Sequence, residues 1–127
     1  MTDTYLGKPV EINEHGNNAA IKVHILDEAS MRLNGFRWVE SLEEWYFCNP
    51  VYKDVTFNMS IKSEDDWRID ILDECFLQHY DYQYLLDEHS NHINTRVLEI
   101  VKKNVDEIMD SFVHKGIISG WEVGDYI

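Results

Sequence analysis

The chain has 127 residues, with 11 Lys or Arg against 24 Asp or Glu and a formal charge of −13 at pH 7. With 44% hydrophobic and 13% aromatic residues it is too apolar for a disordered acidic tail, and its length suits one domain, 1–127, around one core. No apolar run approaches the ~20 residues of a membrane-spanning helix, the N-terminus does not read as a secretory leader, and a broad duplex-binding face is disfavoured for want of Lys and Arg.

Val10 and Ile12 alternate with Glu11 and Asn13 and predict a weak first strand. Gly16-Asn17-Asn18 supplies turn residues, and Ile21 to Ile25 alternates cleanly, so these two runs are expected to form a hairpin. Met31, Leu33, Trp38 and Val39 surround Asn34-Gly35, the strongest short hairpin dipeptide. Trp45 to Cys48 reads as a short aromatic strand that ends before Asn49-Pro50. Val55, Phe57, Met59 and Ile61 then alternate with Thr56, Asn58, Ser60 and Lys62. After a polar turn at 63–66, Trp67, Ile69 and Ile71 resume the pattern, which predicts an antiparallel hairpin with one wet face.

From about residue 91 to 115 the apolar period changes to 3.6, through Ile93, Val97, Ile100, Val101, Val105, Ile108 and Phe112. Ser90 or Asn91 can cap the start of this helix, and Gly116 can stop it. Residues ~78–88 are expected to form a short helix or an ordered loop, and the apolar tail 117–127 to pack. The expected fold is therefore α+β: an antiparallel sheet of about 4–6 strands over residues ~5–75, packed against a long C-terminal helix at ~91–115.

Cys48 and Cys75 form no CxxC pair and sit beside aromatic residues, so they read as two buried free thiols of a reducing cytosol. Neither a disulfide nor a zinc site is expected of them, and no cofactor is indicated.

Charge is the most informative feature when divided along the chain. Residues 63–89 hold nine carboxylates against Arg68 alone, a net −8, whereas residues 90–115 are neutral. The same segment contains Trp67, Phe76, Tyr80, Tyr82 and Tyr84. Tyrosines among carboxylates offer apolar contact together with a negative field that speeds encounter with a basic partner. Glu64, Asp65, Asp66, Asp73, Glu74, Asp81, Tyr82 and Tyr84 are accordingly the expected partner-binding residues.

Catalytic signatures are missing: no phosphate-binding GxxxxGK[ST] loop, no GxGxxG and no GxSxG elbow occurs. The nearest approach to a metal motif is His79-Tyr80-Asp81 followed by His89 and His92, which could gather around Zn²⁺ or Mn²⁺ in a small hydrolase or nuclease. In size, acidity and lack of catalytic signature the chain resembles, generically, the small accessory proteins of bacteriophages and mobile elements. The expectation is a cytoplasmic, non-enzymatic protein that binds a basic, nucleic-acid-binding site of a protein partner. An anti-CRISPR or other DNA-mimic inhibitor acts in this way, and so does an immunity protein against a basic toxin. Direct contact with nucleic acid or membrane is not expected, and a structural homodimer is the remaining alternative.

Overall fold

In the computed structural model, which describes residues 1–88 and 95–127, the chain begins with a hairpin of β1 (Thr2–Tyr5) and β2 (Lys8–Glu11). Leu6 and Gly7 turn it, both at positive φ. The predicted pairing of residues 10–12 with 21–25 does not form, apart from a bridge between Ile12 and Asn18. β3 (Lys22–Val23) pairs instead with the C-terminal β9 (Ile118–Ser119).

Met31 and Leu33 belong to helix α1 (Glu28–Leu33) rather than to a hairpin strand. Asp27 caps it, with its carboxylate accepting from the Ser30 N–H at 2.9 Å. Asn34-Gly35 ends the helix. The Gly35 N–H donates to the Arg32 carbonyl and the Phe36 N–H to the Met31 carbonyl, the pair of bonds that closes a Schellman motif, with Gly35 at φ +90°. A Cβ there would also meet the Phe47 ring at 3.0 Å.

The central sheet is a meander of β4 (Arg37–Val39), β5 (Glu44–Tyr52), β6 (Val55–Ser63), β7 (Asp66–Asp73) and β8 (Gln78–His79). The β6–β7 hairpin is as predicted, with Phe57 opposite Ile71, Met59 opposite Ile69 and Ile61 opposite Trp67. β5 continues through Pro50, past its predicted end. Because β4 covers β5 only at residues 44–46, Pro50 lies where one side of the strand is an edge and a missing N–H is tolerated.

Helix α2 (Tyr82–Glu88) lies within the predicted 78–88, and helix α3 is Arg96–His114. The forecast cap residues Ser90 and Asn91, and Ile93 of the apolar stripe, lie outside the described residues. Leu98, Val101, Val105, Met109 and Phe112 bury one stripe of α3, and Gly116 stops it with the same pair of Schellman bonds as at α1. Phe112 reaches the sheet, with ring centroids 5.0 Å from Phe47, 5.4 Å from Phe36 and 6.0 Å from Phe57. Ile117, Ile118, Trp121 and Ile127 of the tail are buried in the same cluster. Both cysteines are free, as expected, but exposed rather than buried: Cys48 points away from the core on β5 and Cys75 lies in the β7–β8 turn. None of the described helices is long and apolar enough to cross a membrane.

Candidate functional site

Every second residue of β7 faces away from α3, which places Asp66, Arg68, Asp70 and Leu72 on the polar side of the sheet. The strand divides the acidic segment in two. From Asp66 to Asp73 the backbone runs about 23 Å at ~3.3 Å per residue, so carboxylates adjacent in sequence gather at opposite ends of the sheet.

At the β6–β7 end, Glu64 and Asp65 are exposed and Asp66 is half-buried. Glu64 Oε2 accepts the Ile25 N–H at 2.9 Å, and Asp66 Oδ1 lies 3.1 Å from His15 Nε2. Glu14, absent from the sequence-predicted set, joins them. Among the described residues Glu14, His15 and Asp66 form the one group of three whose ligand atoms lie within 4.8 Å of one another, an arrangement able to take a divalent cation.

At the β7–β8 end, Asp73 Oδ1 accepts the N–H groups of Cys75 at 3.0 Å and Phe76 at 3.4 Å. The Glu74 N–H donates to the Asp54 carbonyl and the Cys75 thiol to Asp54 Oδ2 at 3.1 Å. That last bond, with the Asp54 charge, raises the thiol pKa. The turn so fixed holds Leu77 at φ +53° and projects Phe76 and Leu77 at 74% and 77% exposure. Two large apolar side chains beside Asp54, Asp73 and Glu74 are a feature that the sequence reading missed; the apolar run Cys75-Phe76-Leu77 directly after the acidic pair Asp73-Glu74 was its signal.

Glu74 also ends a hydrogen-bond chain across the polar sheet face. The Tyr46 hydroxyl donates to Asn58 Oδ1, Asn58 Nδ2 to Thr56 Oγ1 at 2.9 Å, and Thr56 Oγ1 to Glu74 Oε1 at 2.8 Å. The Arg37 guanidinium lies over the Tyr46 ring, 5.4 Å from its centroid. Burial, followed by the neighbouring Cys48, pushes the Tyr46 phenol up to about 12.

Tyr82 does not belong to any surface. It is 2% exposed at the base of α2, and burial, then the Asp106 charge, drive its pKa well above the usual tyrosine value. Tyr84, on the other side of the helix, is half exposed. Asp81 is exposed at the rim of a cleft of about 520 Å³ between β7, β8, the 15–17 loop and Tyr126-Ile127. β8 pairs with β7 only at Leu72 and Asp73, and Asn17 takes the place of a strand further along. Its amide donates to the Ile69 carbonyl at 2.9 Å and accepts the Ile69 N–H at 3.0 Å, closing the cleft floor.

His79 stands in this cleft with Nδ1 on Asp70 Oδ1 at 2.7 Å and Nε2 3.9 Å from Asp81 Oδ1. The Asp70 hydrogen bond is the main cause of its raised pKa. Of the sequence-predicted metal set, His79 and Asp81 are thus neighbours, while His89 and His92 lie outside the described residues. The chain matches no protein family, and comparison with curated proteins and with solved structures gives no significant match.

Proposed function

We propose that this chain is a non-enzymatic interaction protein that docks the β7–β8 end of its sheet onto a basic, nucleic-acid-binding site of a partner protein. The observation that carries this reading is the fixed turn that presents Phe76 and Leu77 beside Asp54, Asp73 and Glu74. Apolar anchors supply the desolvated centre of an interface, and a surrounding ring of one charge sets encounter rate and orientation. A partner site built for phosphates offers the matching Lys and Arg, so carboxylates stand in for phosphates. A DNA-mimic inhibitor of the anti-CRISPR kind and an immunity protein against a basic toxin both work this way, and both suit a phage or mobile-element protein acting in the cytoplasm.

The test is capture of partners from the native host, followed by titration of the purified partner. The expected partner is basic, binds about tenfold more weakly when salt rises from about 0.05 to 0.3 M, and binds at least about tenfold more weakly to the Phe76→Ser/Leu77→Ser variant. A partner held equally well by the wild type and by that variant overturns the assignment of this surface.

A further inference from the structure

Asp66, Arg68 and Asp70 alternate along β7 and face the same side, so the guanidinium sits between two aspartates of its own strand. In a chain of net −13 those neighbours are its natural counter-ions. Both are engaged elsewhere. Asp66 Oδ1 is 3.1 Å from His15 Nε2 and Asp70 Oδ1 is 2.7 Å from His79 Nδ1, and among the described residues no carboxylate lies within 4.0 Å of Arg68. The strand therefore carries two imidazole–carboxylate pairs with an exposed, unneutralised arginine between them.

All of these groups except Asp66 open into one cavity. His15, Arg68, Asp70, His79, Asp81 and Tyr126 line the cleft, whose volume of about 520 Å³ is that of a small-ligand site. With His79 bound to Asp70 through Nδ1, its Nε2 is left for a ligand, because Asp81 at 3.9 Å is beyond hydrogen-bond reach. A protonated imidazole neutralises the aspartate that holds it, so Arg68 and Asp81 are the other charged side chains of the lining.

We propose that this cleft is an oxyanion site that takes a small phosphorylated molecule, with the Arg68 guanidinium and His79 Nε2–H as donors to a phosphomonoester group. A guanidinium binds such a group through two parallel N–H···O bonds, and the imidazolium adds a third charge-assisted donor. A phosphate alone would leave most of the volume empty, and Tyr126, which also lines the cleft, is there to contact an organic remainder. The field of the whole protein opposes an anion, so binding is weak and depends on these local donors. The groups that face His79 are Asp70, Asp81 and Arg68, and those that face His15 are Glu14 and Asp66.

Titration of the full chain with inorganic phosphate, a nucleoside monophosphate and a sugar phosphate, followed by the NMR signals of the histidine ring nitrogens at constant ionic strength, tests this. Saturable movement of the His79 Nε2 signal is expected, with His24, which bonds Ser119, unmoved. Arg68→Gln should abolish it while leaving the Ile69 amide protected, and the organic esters should bind more tightly than free phosphate. Tight binding of phosphate alone would uphold the oxyanion seat and overturn the organic subsite. Shifts that chloride reproduces, or that Arg68→Gln retains, overturn the proposal.

Discussion

Asn17→Ala tests the claim that a side-chain amide substitutes for a missing strand beside β7. Asn17 is 5% exposed and makes three hydrogen bonds through its amide: to the Ile69 carbonyl at 2.9 Å, from the Ile69 N–H at 3.0 Å and to Ile127 O at 2.8 Å. Each such bond contributes about 1 kcal/mol net, and each buried partner left unpaired costs about as much or more, so the loss should be about 3 kcal/mol. That is a large share of the roughly 5–15 kcal/mol by which domains of this kind are stable, and it corresponds to a fall of roughly 10 °C in Tm. Denaturant unfolding measures the first quantity. Hydrogen exchange at Ile69 gives the local one, because its N–H loses its acceptor Asn17 Oδ1 and should exchange faster than in the wild type. Asn17→Asp should be at least as destabilising at neutral pH, since a carboxylate would face the oxygens of Ile69 and Ile127, and should recover as acid protonates it. A loss below about 1 kcal/mol with Ile69 still protected would refute the surrogate-strand role.

Three further outcomes are expected. Phe112→Ala removes the ring on which Phe36, Phe47 and Phe57 converge, and should cost about 4 kcal/mol by denaturant unfolding; a cost under about 1.5 kcal/mol would mean that the helix does not seat there. Both cysteines should react with a thiol reagent without denaturant, and in a Cys48→Ser background Asp54→Asn should speed Cys75, whose thiol the aspartate now holds protonated; an unchanged rate would deny that bond. His79 should titrate above the ordinary ~6.5 by NMR, and Asp70→Asn should bring it down. Its folded pKa is raised, so the pair's contribution to stability is complete below ~6.5 and fades as pH rises through the folded value; with the ring 57% exposed the contribution is small, and an Asp70→Asn titration identical to wild type would dissociate the pair.

Strict period-two alternation over 55–71 left no other reading than a half-buried hairpin, and the 3.6-period stripe with Gly116 behind it did the same for α3. Elsewhere local signals were ambiguous for identifiable reasons. Asn-Gly serves a hairpin turn or a helix C-cap equally, because both require positive φ, and the deciding feature lay upstream in the Asp27 to Ser30 cap. The sequence Thr2-Asp3-Thr4-Tyr5 has no apolar alternation to mark a strand, so the partner of β2 was set by the tight Leu6-Gly7 turn. Tyr82 read as a surface residue from its acidic neighbours, yet Tyr82, Leu85 and Leu86 recur at i, i+3 and i+4 and were the sign of an inward helical face. The cleft was not legible, since it depends on Asn17, the β7–β8 pair with Arg68 and His79, and Tyr126 meeting from three separate parts of the chain.

The fold also changes what the charge of −13 means. Along the chain the carboxylates of 63–89 form one run; in space each end of β7 holds its own group, and most members already have a task. Glu64 holds the Ile25 N–H, Asp66 faces His15, Asp70 holds His79, Asp73 fixes a turn and Glu74 anchors Thr56. Local partners of this kind offset the self-repulsion that a bare acidic run would suffer, so charge density alone is weak support for a docking face. It follows that neutralising Asp73 or Glu74 confounds two effects, loss of charge and release of the turn. Phe76 and Leu77 are different: both are largely exposed and neither belongs to the buried core cluster, so replacing them perturbs a partner contact with little direct loss of core packing. The apolar pair, rather than the acidic run that first drew notice, is the sharper probe of whether this end of the sheet has a partner.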